Sequence, residues 1–359
     1  MAAVTAADSG PSAAATPGGP PRPRLLAVCG VGHPGGAELG LLLLLRRLAA
    51  RGWSIALASP AGPLAQAARD QGWDWNALSS GPLAGGRRAL PRALASWPRV
   101  RLLARGADVV YLNGTVSGRM LPALGGSHTV LHVHDMVTRV PRFWRAADVV
   151  LADSGAVAHG LADLPAHVVW CPVERDPPEI AAPWPSGGAP LIGFVGRIEP
   201  RKGPLDLVRA APLIRAQLPS ARIVIVGDDP FGSDPEYVAR VNSPTDGVEH
   251  YGWVAGAAGL MHHLEVLVVP SHSEPFGTVA AEAMAAGTPV VATRVDGLPE
   301  VVPDGVGGVL VAPGDPGALA EGVLEALRRR TELSAGARGA ARRFDADDYA
   351  ERVRELIEP

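Results

Sequence analysis

Glu174–Pro190 reads ERDPPEIAAPWPSGGAP, and its five prolines and two glycines interrupt the chain near the middle. Each proline lacks a backbone N–H and fixes its own φ, so the run cannot sit inside a helix or a central strand. It predicts a linker between two domains. To its left, short apolar runs alternate with helical stretches: Arg24–Cys29 as a strand, Ala37–Arg51 as a helix stopped by Gly52, Trp53–Ala58 as a strand and Gly62–Gly72 as a helix. A weaker helical stretch, Ala89–Arg105, precedes strand-like runs at Val109–Leu112, Thr129–Val133 and Val149–Ala152. To its right the alternation restarts with strands Leu191–Val195 and Ala221–Val226 around a helix at Pro204–Gln217. Val266–Val269, a helix at Gly277–Ala286, Pro289–Ala292, Val309–Val311 and a helix at Pro316–Arg329 follow, and Asp347–Leu356 closes the chain as a last helix. Buried strands alternating with helices predict a mainly parallel sheet covered on both faces. Here the pattern occurs twice, giving an α/β chain of two Rossmann-like, doubly wound domains, with ligands expected at the carboxyl ends of the strands.

Composition excludes several classes. A length of 359 residues suits two cores of ordinary size. The net charge of −3 gives no electrostatic reason to expect nucleic acid. Cys29 and Cys171 cannot make a disulfide framework, and no Cys/His cluster suggests zinc, which fits a reducing cytoplasm. Residues 1–22, rich in Ala, Gly and Pro, lack the layout of a signal peptide and read as a disordered tail. The longest apolar stretch, Leu39–Leu45, is far below the ~20 residues that span a bilayer and reads as core. Of 33 basic side chains only Lys202 is a lysine, a bias expected of GC-rich bacterial coding that makes this one position notable.

Two motifs mislead. Gly30–Gly35 (GVGHPG) spells G-x-G-x-x-G after the first strand, but the second strand ends Ala58-Ser59-Pro60 without the acid that would hold a dinucleotide ribose. Its glycines still suit close approach to an anion at a helix start. Asp345-Ala346-Asp347 matches a metal-binding D-x-D, yet it stands directly before a helical run, where Asp serves as a cap.

The chemistry gathers in Val269–Glu282, VPSHSEPFGTVAAE. A strand ends near Val269, a loop carries Glu274, and Gly277-Thr278 opens a helix bearing Glu282. Eight helical positions span up to ~12 Å, beyond the ~5–9.5 Å of a glycosidase carboxyl pair. That separation suits holding two ends of an elongated ligand. Upstream, Gly193–Gly203 (GFVGRIEPRKG) is a strand followed by Arg197 and Lys202, a plausible phosphate clamp. Gly35-Gly36-Ala37-Glu38 opens the first helix, and Val133-His134-Asp135 follows a strand.

Together these stretches resemble glycosyltransferase family 4: the E-x7-E signature, the continuation Ala283–Ala292, the G-R-x4-K-G loop, the G-G-x-E loop and the V-H-D segment. The likeness covers roughly residues 24 to 342, with Val150–Ser154 and Val168–Glu174 continuing it. It implies the GT-B arrangement, two domains facing a cleft: an amino-terminal acceptor-side domain over 23–173, the linker over 174–190, and a nucleotide-sugar donor domain over 191–342. Residues 343–359 would form a helix packing back on the first domain. The resemblance implies retaining, metal-independent transfer of a hexose-type sugar from a nucleotide diphosphate, UDP first among UDP, GDP and ADP, to a hydroxyl on a lipid carrier, a glycan or a small natural product. The nucleotide sugar is a co-substrate, and no cofactor or metal is implied. Arg197 and Lys202 would grip the diphosphate, Glu274 the donor sugar and Glu282 the ribose. Phe276, Gly277, Thr278, Gly35 and Gly36 would lend donor-binding backbone, and His134 would line the reaction centre. Two departures stand out: Cys171-Pro172 where the family has P-N, and Asn113, on the acceptor side, where a His is common. A nucleotide-sugar epimerase on the same architecture, or a silent partner subunit, are the rival readings. Peripheral contact with the inner membrane face follows if the acceptor is lipid-linked.

Overall fold

The computed structural model describes residues 22–81, 90–185, 187–230, 232–245 and 247–358. The expected tail, residues 1–22, lies outside them except for Arg22. The first half begins β1 (Arg24–Cys29), α1 (Gly36–Ala50), β2 (Ser54–Ser59), α2 (Pro63–Asp70) and β3 (Asp74–Ala77). It continues α3 (Leu90–Ala104), β4 (Val109–Asn113), β5 (His128–Val133), β6 (Val149–Ala152), α4 (Gly155–Gly160) and β7 (His167–Val168). The second half runs β8 (Leu191–Val195), α5 (Pro204–Gln217), β9 (Arg222–Val226), α6 (Pro235–Val241) and β10 (Val248–Tyr251). Then come β11 (Val266–Val269), α7 (Thr278–Ala286), β12 (Val290–Thr293), α8 (Leu298–Val301), β13 (Gly308–Val311), α9 (Pro316–Arg328), α10 (Arg330–Ala341) and α11 (Ala346–Ile357).

Among the described residues the strands make two sheets, β3-β2-β1-β4-β5-β6-β7 and β10-β9-β8-β11-β12-β13. Every pairing is parallel. In both sheets the winding direction reverses once, between β1 and β4 and between β8 and β11. Loops leaving those two strands part to opposite faces, and the crevice they leave is where ligands bind in such sheets. Four candidate segments start there: Gly35 and Gly36 follow β1, Asn113 ends β4, Lys202 follows β8 and Glu274 follows β11, while His134 follows β5, the strand next to β4.

Leu41, Leu44, Leu45 and Leu48 of α1 are buried against the first sheet, so the Leu39–Leu45 run is core with only Leu39 exposed. Burying each such side chain contributes about 2 kcal/mol. The last helix, α11, returns to the first half, where Tyr349, Ala350, Val353 and Ile357 join the same core as α1. The chain therefore passes between the halves twice, and the passages lie side by side. Val173 N–H donates to Phe344 O at 2.8 Å, Val173 and Asp345 form a parallel bridge, and Arg175 pairs with Asp345 at 2.9 Å. Arg47 on α1 ties both passages, reaching Glu174 at 2.8 Å and Asp347 at 3.3 Å. Asp345 caps α11 by accepting from the Asp347 and Asp348 amides.

Candidate active site

On the second half, Lys202 and Glu274 meet although 72 residues separate them: Lys202 Nζ lies 2.6 Å from Glu274 Oε2. Gly203 makes this possible. It holds φ +66 at the start of α5, and a Cβ there would stand 2.1 Å from Pro270 O, inside the backbone of the neighbouring loop. Ser271 Oγ donates to the same carboxylate oxygen at 3.1 Å, and Arg201 stands 3.9 Å from the other. Glu274 itself is 5% exposed. Burial pushes its carboxyl up, but the charges of Lys202 and Arg201 and the bonds from Lys202 and Ser271 hold it below the ordinary carboxylate value. Asp296 fixes the loop from behind, accepting from the Glu274 amide at 2.9 Å and from Ser273 Oγ at 2.6 Å. Glu199 joins Arg197 (3.4 Å) to Arg201 (2.8 Å), so the arginines are set as a pair. Gly277 caps α7, which carries Glu282 one turn on. Burial alone pushes the Glu282 carboxyl up to about 7.

On the first half, His134 stands between two partners. Its Nδ1 lies 2.8 Å from Asp153 and its Nε2 lies 2.8 Å from Asn113 Oδ1. Asp153, at the end of β6, is shared with His132, whose Nε2 is 2.8 Å from its other oxygen. The Tyr111 hydroxyl closes the chain on His132 Nδ1 at 2.6 Å, and Tyr111 shares its core cluster with Tyr349 of α11. Burial drives His132 down to about 4. Burial also opposes charge on His134, but the charge and hydrogen bond of Asp153 outweigh it and hold the imidazole above its ordinary value. Asn113, which the sequence reading put on the acceptor side, is buried at the end of β4 with its Oδ1 on His134, so it positions that ring. His132, His134 and Asp153 form the metal-type cluster found among the described residues. The His134 contact with Asp153 is a hydrogen bond, whereas His132 Nε2 lies at ion-pair distance from the same carboxylate without hydrogen-bond geometry.

The halves face each other closely. A Cβ on Gly36 would stand 3.2 Å from Thr278 Oγ1, so the start of α1 looks directly at the start of α7. Gly35 N–H is committed to Glu38 Oε2 at 2.9 Å, which leaves the later first-turn amides of α1 for an anion. Cys171 is buried, and burial together with the neighbouring Asp153 charge pushes its thiol well above the ordinary value. Ser154 Oγ donates to Pro275 O at 2.6 Å, and Glu300 accepts from the Gly155 and Ala156 amides at 2.9 Å each. Among these, Asp153 lay in the Val150–Ser154 stretch of the family likeness without a role assigned to it, and His132, Asp296 and Glu300 carried no sequence signal except the D-G turn at Asp296-Gly297.

Residues 34–176 match the description Glycosyltransferase Family 4, and residues 189–329 match Glycosyl transferases group 1. A Nocardioides sp. protein named D-inositol 3-phosphate glycosyltransferase is 30% identical over 89% of this chain and 84% of its own. The chain belongs to glycosyltransferase family 4. The glycosyltransferase is also 37% identical to the glycogen synthase of Mycobacterium tuberculosis, over 46% of this chain and 42% of that one. Its fold matches that of Anabaena Alr3699/HepE, solved with UDP and glucose, at TM-score 0.77 and 23% identity, covering 92% of this chain and 98% of that one. Sucrose-phosphate synthase from Thermosynechococcus elongatus matches at TM-score 0.74 and 24% identity, covering 93% and 98%. The GT-B glycosyltransferase thus has its two halves, its cleft and its two carboxylate-and-cation loops in one place. Among the described residues no helix is long and apolar enough to cross a membrane.

Proposed function

We propose that this glycosyltransferase transfers a hexose-type sugar from a UDP-sugar to a hydroxyl acceptor with retention of configuration and without a metal ion, working in the cytoplasm. The observation that carries this reading is the Lys202–Glu274 pair at 2.6 Å, set in the loop just before α7, whose start faces the amino end of α1. A diphosphate laid between them would meet Lys202, Arg197 and the first-turn amides of α1 and α7, all donors suited to an anion. As the sugar–phosphate bond breaks, negative charge builds on that diphosphate, and fixed donors already aimed there stabilise it. The sugar itself would lie toward Glu274 and His134, which come from opposite halves. Relatives named for D-inositol 3-phosphate and a fold relative solved with UDP and glucose support a UDP-hexose donor and a polyol hydroxyl acceptor. A lipid-linked polyol at a membrane surface is one such acceptor. The test is to offer UDP-glucose, GDP-mannose and ADP-glucose with cell extract and identify the glycosylated product by mass spectrometry with anomeric assignment by NMR. A product with inverted configuration, or no product with any donor, would sink the reading, and donor turnover without acceptor would favour an epimerase.

Metal independence is expected because Asp345 and Asp347, the D-x-D pair, are tied up capping α11 and pairing with Arg175 and Arg47. Transfer should survive exhaustive chelation within about twofold, since Arg197, Lys202 and helix amides carry the leaving charge. Loss of activity that Mn²⁺ restores would contradict this.

Glu282 gives a pH prediction. Its carboxyl sits at about 7, raised by burial, and ribose hydroxyls donate to the ionised form. UDP affinity should therefore rise as pH increases through 7, with proton release on binding. Glu282→Gln should flatten that dependence and weaken binding by about 1.5–3 kcal/mol. Calorimetry in buffers of different ionisation enthalpy reads both effects, and an unchanged affinity would remove Glu282 from the ribose.

A further inference from the structure

Helix α3 presents an unusual outer face. Its inner side is settled: Ala93, Val100 and Ala104 are buried in the first core, with Trp97 and Leu103 packed against them. On the outer side Leu94 is 43% and Leu102 63% exposed, and Ala95 and Pro98 lie exposed between them. At 100° per residue these four positions form one stripe. Arg92 and Arg99 flank it on one side and Arg101 on the other, and Arg105 follows just past the helix end. The sequence holds no acid between Asp74 and Asp108, although the chain as a whole carries a net −3. Asp108 is occupied, accepting from the Arg24 amide at 2.8 Å. Among the described residues Arg92, Arg99 and Arg105 pair with no carboxylate, whereas Arg101 donates to Ala123 O at 2.9 Å.

An exposed apolar stripe bordered by cations on both sides is unfavourable in water, yet it suits the boundary between anionic headgroups and acyl chains. Leucines enter the boundary while guanidinium groups remain among phosphates, and no acidic side chain on the helix opposes the approach. The placement also bears on the cleft. Trp97 Nε1 donates to Arg119 O at 3.2 Å, and Arg101 reaches Ala123, so α3 is fastened to the short helix Ser117–Ala123. That helix follows Asn113–Thr115, where Asn113 meets His134 and Thr115 bonds Asp135 at 2.9 Å.

We propose that the Leu94–Leu102 stripe and its arginines dock the enzyme on an anionic phospholipid surface, with the acceptor carried at that surface. The acceptor part rests on the lipid-linked branch of the function proposed above; the docking part does not.

Flotation of the full chain with phosphatidylcholine vesicles, with and without phosphatidylglycerol, tests docking. The expected result is binding to the phosphatidylglycerol mixtures, weakening as salt rises, and little to phosphatidylcholine alone. Arg92→Gln with Arg99→Gln should cut partition on the order of thirtyfold. Leu94→Ser with Leu102→Ser should also release the protein, with thermal melts and UDP binding unchanged for both pairs. No flotation by the natural chain, or flotation unaffected by either pair, overturns the proposal. So does concentration-dependent dimerisation abolished by the leucine pair without vesicle binding, which would give the face to a second copy. Failure of the transferase reading would look different: UDP-sugar binding or transfer would be lost while flotation persisted.

Discussion

Lys202→Ala is expected to lower turnover by about 10²–10³-fold at saturating donor, the cost of losing one donor aimed at charge that grows in the transition state. Arg201, next in the chain, shows that arginine is tolerated locally, so a lone lysine at 202 points to geometry rather than charge. A compact ammonium sits 2.6 Å from Glu274 beside Ser271, a space into which a planar guanidinium fits poorly. Lys202→Arg should therefore recover only part of the loss. An open, solvent-lined cleft would leave folding untouched by these changes, but the structure gives a different expectation. Glu274 is nearly buried, and removing its closest cation costs about 3 kcal/mol, as for a broken buried pair. The pH sense is definite. In the natural chain Glu274 is held below its ordinary value, so it adds stability above the carboxylate range and loses it as pH falls through its folded pKa. Without Lys202 burial prevails and the carboxyl rises, so the deficit should be largest at neutral pH and shrink in acid. Turnover and thermal melts of both variants across pH check this, and full activity in Lys202→Arg would defeat the geometric role.

The second large effect belongs to Asp153. Asp153→Asn should lower kcat/KM on the order of 10²-fold, the scale of a misplaced acid–base or charge partner. Both imidazole nitrogens of His134 face acceptors, Asp153 on one side and Asn113 Oδ1 on the other, an arrangement that favours the imidazolium. With the carboxylate gone, burial dominates and the imidazole falls below its ordinary value. The alkaline limb of the pH–rate profile should then shift to lower pH, with activity partly recovered in acid. A uniform loss of activity at unchanged profile would mean that Asp153 only supports the fold.

What could be read in advance follows from how locally each feature is encoded. Arg197, Lys202, Glu274 and Glu282 lie in two runs where strand, turn glycine and helix start occupy a dozen residues, so their pattern is visible in sequence. Leu191–Val195 and Val266–Val269 are unbroken apolar runs, which is how strands buried on both faces look. The strands that escaped notice are polar or very short: β3 reads DWNA, β10 reads VEHY, and both sit at sheet edges where burial is partial. Helix α10 (RTELSAGARGAA) hides because small residues give it little apolar period. Asp153, His132 and Asn113 come from three different strand segments, and only the folded sheet brings them to His134. Cys171 was visible only as a departure from a pattern; in the fold it is a buried thiol beside the Asp153 charge.

The paired passages between the halves have a mechanical consequence. One tether would let a domain swivel in any direction, whereas two points of attachment define a line. Val173 and Phe344–Asp345, joined by a ladder bond, set those points about 4.8 Å apart. An opening of the cleft would then be a rotation about that line, and it would have to break the Ser154–Pro275 and Glu300–Gly155 bonds that join the halves here. Donor loops and His134 would separate along that arc. Cutting the chain within residues 174–190 would leave the two halves joined through α11, still turning on what remains of the same pivot.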